Sequence, residues 1–320
     1  MGSDLPSTPS GDPNTRMHAD FRHDALIYAD AEEFLAGVVP YLRDGLEAGE
    51  VALVAVELAR MQVLQSEFRD EAGAVFFADI EDLGRNPARI IPFWRQFVDE
   101  HPGRPLRGIG EPLWPGRDVR EIDECQRHEA LLNVAFGPNS TWSLLCPYDA
   151  GALSDEILAR VADSHQHVIR NGIAEPGLGF LAGDHYFAGV LSSAPGEAES
   201  CEFDLGGLAG VRRRVEAIAR RAGLASLHVS DLAVAANEVA TNSVAHGGGR
   251  GTLRAWLEPD RVVVEVEDRG RILEPLVGRI RPLVAQQGGR GLWLVNQLCD
   301  LVQIRSSAAG TTVRLHMATV

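Results

Sequence analysis

Residues 232–249 read LAVAANEVATNSVAHGGG, and the fold of the C-terminal half turns on them. Glu238, Asn242 and His246 stand four residues apart, so a helix through them carries one polar stripe. Ala236, Val239, Ala240 and Ser243 make the rest of that helix small and apolar, suited to packing on a sheet. The glycines at 247–249 end it. A carboxamide oxygen is a hard ligand of the kind magnesium takes, with water and phosphate oxygens completing its shell. A carboxylate one turn away can accept the proton of an attacking hydroxyl. The same stripe also reads as a solvated helix face, and the choice rests on what lies downstream.

Residues 261–267 (RVVVEVE) form an apolar, β-branched run that predicts a buried strand. It ends in Asp268-Arg269-Gly270, and a carboxylate there can accept a hydrogen bond from an exocyclic amine such as that of adenine. Residues 287–295 (QGGRGLWLV) set a glycine loop before an apolar helix. Such glycines admit close backbone approach, and the helix N-terminus offers N–H donors and a positive dipole to phosphates. Gly310-Thr311-Thr312-Val313 opens a last strand. One glycine motif alone is more often a turn than a phosphate site; the ordered set points to a nucleotide pocket. A strand at 202–205 and a helix at 210–222, with Val211, Val215, Ile218 and Ala219 inward, precede it.

On these motifs, residues from about 201 to 317 resemble a Bergerat-fold (GHKL) ATP-binding domain of the anti-sigma-factor serine kinase type. ANEVATNSVAHG is similar to the family's N box, VEDRG to its first glycine box, GGRGLWLV to its second and GTTV to its last. The resemblance implies an α/β sandwich with Glu238 as catalytic base and Asn242 as magnesium ligand. It implies that Asp268 contacts adenine and that Gly270, Gly288, Gly289, Gly291 and Thr311 line the ATP site. One position departs: Ile272 stands where the family's first glycine box has its second glycine. The Arg- and Pro-rich connection from Ile272 to Gln287 is short, which implies a reduced lid over the phosphates and weakened turnover.

A chain of 320 residues is long enough for two domains, each with its own core. No apolar run reaches the roughly 18–20 residues that span a bilayer. Residues 1–20 lack the basic and apolar regions of a signal peptide and read as a disordered tail, so a cytoplasmic protein is expected. The net charge of −15 argues against direct nucleic-acid binding and fits a basic or mixed-charge protein partner. All thirty basic residues are arginine. That excludes a Walker A loop, a Schiff-base lysine and a kinase of the eukaryotic type. The four cysteines are scattered, with no CxxC pair, and read as reduced thiols, mostly in the core.

In the N-terminal half a helix is expected at 30–46, with Phe34, Val38, Tyr41 and Leu42 on one side. Strands are expected at 51–56, 74–77, 106–109 and 141–146, and helices at 90–100 and 125–135. Short strands alternating with helices predict a parallel α/β sheet covered on both faces, whose ligands bind at the carboxyl ends of the strands. Glu111, Trp114 and Asp149 fall at such ends.

Residues 21–170 resemble the MEDS sensory domain on HDALIY at 23–28, GEPLWPGR at 110–117, ECQRHEALLN at 124–133 and LLCPYD at 144–149. That family implies a RecA-like core without the phosphate loop, sensing small molecules. His23, Tyr28, Glu111, Trp114 and Asp149 are the candidate sensory residues. His23 with Tyr28 also reads as a capping or core pair. Where some members carry a cysteine after the first histidine, Ala25 stands here. Arg127-His128-Glu129 has a superficial likeness to the phospho-acceptor helix of histidine kinases, but it lies inside the first domain. Residues 171–200, rich in Gly, Ala and Ser, are expected to link this domain to the one at 201–320.

Together the two resemblances imply a ligand-sensing α/β domain coupled to an α+β serine kinase domain. The kinase domain is expected to use ATP and Mg²⁺, to sequester a sigma factor, and to phosphorylate a serine of a STAS-domain anti-anti-sigma protein. Dimerisation through that domain is common in the family, so a homodimer is an open expectation. Three rivals stand beside it: a catalytically silent binding module, a histidine kinase, and an ATP hydrolase in which Glu238 activates water.

Overall fold

The computed structural model describes residues 21–71, 73–137, 140–177, 184–283 and 289–319. The expected tail at 1–20 and the expected site residue Gly288 lie outside them.

The N-terminal half opens with β1 (Arg22–Tyr28), α1 (Ala31–Glu47), β2 (Val51–Val56), α2 (Leu58–Glu67) and β3 (Val75–Asp79). It continues through α3 (Ile80–Gly84), α4 (Ile90–Glu100), β4 (Leu106–Gly110), α5 (Val119–Ala135), β5 (Trp142–Asp149), α6 (Asp155–Arg160), β6 (His167–Arg170) and β7 (Ile173–Pro176). The sheet order is β3-β2-β4-β5-β1-β6-β7, parallel throughout except for the β6–β7 hairpin. Both faces are covered, as the near-continuous apolar strands require. Ala25 and Ile27 of β1 join one core with Trp94, Leu132 and Trp142, while Leu26 and Tyr28 join another with Phe34, Val38 and Val54. Local signals fix the helix starts. Asp30 caps α1 by accepting from the amides of Glu32 and Glu33, and Asp118 with Glu121 forms a full capping box on α5.

The C-terminal half comprises β8 (Glu199–Asp204), α7 (Leu208–Arg221), α8 (Ser226–His246), β9 (Arg250–Glu258) and β10 (Arg261–Asp268). It ends with α9 (Arg290–Leu298), β11 (Leu301–Ser307) and β12 (Gly310–Ala318). Its sheet is antiparallel, in the order β11-β12-β10-β9-β8. One face is apolar and carries the helices: Val262, Val264 and Val266 pack with Val215, Ala236, Val239 and Val295. The other face is polar but buried, with Glu265 paired to Arg314 and His316 bonded to Gln303 at 3.1 Å.

That polar face meets the N-terminal half. Glu124 of α5 takes Arg305 of β11 at 2.7 Å, Arg120 meets Glu258 at 2.6 Å, and Arg261 meets Asp118 at 3.1 Å. Arg89 donates to three carbonyls at the end of α9, those of Asn296, Gln297 and Cys299, each at 2.9 Å. The last carbonyls of a helix have no partner within it, so the first half supplies the cap of a helix in the second.

The segment expected as a linker at 171–200 begins with a strand instead. Asn171 (φ 49°) and Gly172 (φ 74°) form the tight turn that folds β7 back on β6, the conformation a two-residue Asn-Gly hairpin demands. Farther on, Tyr186 accepts from Arg127, and Ser192 accepts from Arg314 at 2.6 Å through its carbonyl.

Burial and the neighbouring Arg120, Arg261 and Arg314 push the His316 imidazole from 6.5 down to about 3, with Asp118 opposing. As pH falls, the unfolded chain therefore takes up this proton before the folded one does. The associated stability is whole above the unfolded value and is lost as pH falls from 6.5 toward about 3, by about 1.4 kcal/mol per pH unit. Urea titrations at about pH 7 and about pH 5 are expected to show a smaller drop for His316→Gln than for the wild type.

Candidate functional site

Helix α8 places Glu238, Asn242 and His246 on one side, the first two half-buried and His246 exposed. A second face, with Ala236, Val239, Ala240 and Ser243, lies in the core. The N-terminus of α9 comes directly against this stripe. A Cβ on Gly291 would lie 3.0 Å from Glu238 Oε2 and 3.3 Å from Asn242 Nδ2. Only glycine lets the backbone approach the two side chains so closely. Gly289, at φ 76°, is the left-handed residue that starts α9.

Asp268, at the end of β10, is fixed from two sides. Ser243 Oγ donates to its Oδ2 at 2.6 Å and the Gly270 amide to its Oδ1 at 2.7 Å. A carboxylate has further lone pairs for a third donor. Thr311 donates to the Gly270 carbonyl at 2.9 Å and meets Ser306 at 2.7 Å. Ser306 in turn accepts from the Ile272 amide at 2.8 Å. The strand-end carboxylate, the turn after it and the last two strands are thus one hydrogen-bonded unit. The close approaches around Asp268 leave room for glycine alone: a Cβ on Gly247 would stand 2.4 Å from Asp268 Cγ. Gly247→Ala, at an ordinary φ of −98°, is therefore expected to displace Asp268 and cost about 1–3 kcal/mol by overpacking. A thermal melt of the variant checks it.

Beyond Ile272 the chain leaves this unit. Ile272 packs on the C-terminal core, but Leu276 and Ile280 pack on the N-terminal one, and the buried Arg279 lies 4.0 Å from Glu124. The segment expected as a lid is anchored on the first half over this stretch.

In the N-terminal half, three of the five expected sensory residues converge at the carboxyl ends of β1, β4 and β5. Tyr28 donates to Glu111 Oε1 at 3.1 Å, and Arg60 of α2 bonds both Glu111 and, at 2.9 Å, Asp149. The Arg60 guanidinium also lies 5.2 Å from the Tyr28 ring centre. Burial lowers the Arg60 pKa but Glu111 outweighs it, leaving the guanidinium more firmly protonated; burial pushes the Glu111 carboxyl up against the pull of Arg60. Trp114 stands apart, stacked by Arg117 at 3.5 Å, and His23 lies near the opposite end of β1, in the core. A cavity of about 310 Å³ opens elsewhere, lined among others by Leu113, Arg127, Glu129, Tyr148, Arg160 and Tyr186. His128, read as a possible phospho-acceptor, is 1% exposed. Burial pushes its imidazole down to about 3.

Two family models match the chain: the methanogen/methylotroph DcmR sensory (MEDS) domain over residues 22–166 and the histidine kinase-like ATPase domain over residues 201–317. A curated relative, the serine-protein kinase RsbW of Halalkalibacterium halodurans, is 31% identical over 110 residues, which are 68% of its length and 31% of this chain. Through its C-terminal half, the chain belongs to the RsbW family. Both resemblances read from the motifs are borne out.

Two solved structures also align, at low TM-scores. The RsbU and RsbW domains of Rv1364c from Mycobacterium tuberculosis share 21% identity at a TM-score of 0.29, covering 39% of this chain and 33% of theirs. The histidine kinase AdeS of Acinetobacter baumannii shares 12% at 0.26, covering 38% and 68%. The chain thus spans about a third of the first of these. No helix among the described residues is long and apolar enough to cross a membrane.

In the RsbW-like half, the motif residues fall into two groups, Glu238 and Asn242 against Gly291, and Asp268 with Gly270 and Thr311, joined through α8 by the bond from Ser243 to Asp268. Sequence reading missed Ser243 and Ser306 as its supports. It also missed Arg60, which lies at the same strand-end edge as Glu111, where ligand-binding residues gather.

Proposed function

We propose that the chain is an ATP-dependent anti-sigma factor of the cytoplasm, with a Bergerat-type kinase domain over residues 201–320 governed by a RecA-like sensory domain over residues 21–170. The observation that carries it is the placement of Gly291, which sets the start of α9 against Glu238 and Asn242 while Asp268 is held beside the same helix. The pocket residues suit ATP and magnesium: a carboxamide and a carboxylate on one helix, a fixed strand-end carboxylate, and glycines whose Cβ atoms would fill the space between them.

Asn242 would hold Mg²⁺, which supplies charge neutralisation for the phosphates. Asp268 accepts the adenine amine, and the α9 N-terminus faces the phosphates. Glu238 takes the proton of an acceptor serine as its oxygen bonds to the γ-phosphorus and the bond to ADP breaks. The acceptor is a serine on a STAS-domain antagonist. Unphosphorylated antagonist displaces the sigma factor, and phosphorylated antagonist is released. A small ligand of the first domain, with the 310 Å³ cavity as its candidate seat, biases this balance by binding one state better than the other. The contacts of Arg89 with α9 and of Glu124 with Arg305 support such coupling. The family habit makes a homodimer of the kinase domain part of the same reading.

A second reading, a silent binding module, is favoured by one observation: Ile272, Leu276 and Ile280 are anchored rather than free. The two readings separate on incubating the full chain with γ-labelled ATP, Mg²⁺ and STAS proteins of the same genome. Acid-stable phosphoserine on one of them is expected. Label on the chain itself that acid removes, or phosphate release with no acceptor, points to the histidine kinase or the hydrolase; no turnover of any kind points to the silent module.

A further inference from the structure

Four side chains that the proposed phosphoryl transfer leaves unused meet inside the N-terminal half: His23 of β1, Glu129 of α5, which also lines the 310 Å³ cavity, Cys146 of β5 and His165, which lies just before β6. All are buried, at 0%, 3%, 1% and 0% exposure. Their nearest donor atoms all lie within 4.8 Å of one another. They are far apart in sequence and converge only through the β1–β5 pairing and the packing of α5.

The hydrogen bonds around the cluster decide which ring nitrogens face inward. His165 Nδ1 lies 2.8 Å from the Val161 carbonyl, which can only accept, so Nδ1 carries the hydrogen. His23 Nδ1 lies 3.2 Å from Asn133 Oδ1, and the Asn133 amide is oriented by its own donation to the Ser164 carbonyl at 2.7 Å. In their neutral forms both rings therefore present a bare lone pair on Nε2. These lone pairs point at another acceptor: Glu129 Oε2 lies 3.2 Å from His23 Nε2 and 3.1 Å from His165 Nε2. Cys146 Sγ is 3.3 Å from His23 Nε2. Neither His165 Nε2 nor Glu129 Oε1 has a hydrogen-bond partner. Glu129 Oε2 also accepts from Tyr148 at 3.1 Å and the Cys146 thiol can donate to His23 Nε2, so the unmet groups are His165 Nε2 and Glu129 Oε1, buried acceptors that a cation between them would satisfy.

We propose that His23, Glu129, Cys146 and His165 form a binding site for a divalent metal of the zinc class. Three of the six separations, at 3.1–3.3 Å, are close to the edges of a tetrahedron with metal–ligand bonds of about 2.0–2.3 Å, and the rest lie within 4.8 Å. Two nitrogens, a sulfur and a carboxylate oxygen form a donor set of borderline softness, which favours zinc over magnesium or calcium. The charges also close: carboxylate and thiolate carry two negative charges, the imidazoles none, and a divalent ion brings the buried cluster to neutrality. Binding releases the Cys146 thiol proton to solvent. The second bonds from Nδ1 to a carbonyl and a carboxamide oxygen are the orienting contacts that metal-bound histidines keep. All four positions are filled by protein, the closed arrangement of a structural site.

The test strips the purified full chain with a chelator and titrates it with Co²⁺. A single equivalent is expected to bind, giving the intense visible bands of tetrahedral cobalt and a near-ultraviolet sulfur-to-metal charge-transfer band, both erased by added Zn²⁺. Cys146→Ser is expected to lose the charge-transfer band and at least about tenfold in affinity. The wild-type spectrum decides alone if the variant does not fold. Absence of binding, a weak octahedral spectrum, or an unchanged charge-transfer band in folded Cys146→Ser would each overturn the proposal.

Discussion

Glu238→Gln is expected to slow phosphoryl transfer to an acceptor serine by roughly 10²–10⁴-fold, the range that loss of a positioned general base produces. Glutamine keeps the shape of the side chain beside Gly291 but cannot take up a proton. Nucleotide affinity should hold within a few-fold, because the groups assigned to adenine and magnesium, Asp268 and Asn242, are untouched. Single-turnover transfer and equilibrium binding, measured on one preparation, separate the two effects. Equal loss of binding and transfer would place Glu238 among the groups that seat the nucleotide rather than among those that act on the serine.

Glu124→Ala is expected to cost about 3–5 kcal/mol, the penalty for leaving a buried charge without its partner. The Arg305 guanidinium, 7% exposed and 2.7 Å from Glu124, would be stranded, and the buried Arg279 would lose its nearest carboxylate. The loss should fall on the contact between the halves, where α5 meets β11 and the segment around residue 279. Differential scanning calorimetry is expected to show a lowered midpoint and, as the halves uncouple, two transitions in place of one. Glu124→Leu combined with Arg305→Met should recover a good part of the loss, since replacing both charges leaves fewer stranded ions. A midpoint unchanged within error in Glu124→Ala would mean that this pair contributes nothing to the docking of the halves.

How much of this was legible in the sequence depended on whether a signal was local. The periodicity of RVVVEVE and the glycines around 289–291 are short-range and specify a strand and a helix start without help from the rest of the chain. The alternation of apolar strands and helices likewise predicted a parallel sheet, and the structure has one. Asn171-Gly172 was legible too, as the strongest short hairpin signal there is. The surrounding Gly, Ala and Ser content, read as linker, obscured it.

The partners of charged groups were not legible. Arg60, Arg89 and Arg305 look like any other arginine in a chain that uses arginine for every cation. The partners that place them, Glu111 for Arg60, Cys299 for Arg89 and Glu124 for Arg305, lie 51, 210 and 181 residues away. His23 was read beside Tyr28, yet successive strand residues point to opposite faces and their ring environments differ. Its actual neighbours, Glu129, Cys146 and His165, come together only when α5 and the sheet pack.

The central claim is that Glu238, Asn242 and Asp268 form a working nucleotide pocket. Titration calorimetry of the full chain with ATP and Mg²⁺, in wild type and Asn242→Ala, tests it most directly. Saturable binding in the wild type, lost or sharply weakened in the variant, is the predicted result. Absence of wild-type binding at millimolar ATP, or equal affinity in both proteins, would contradict it.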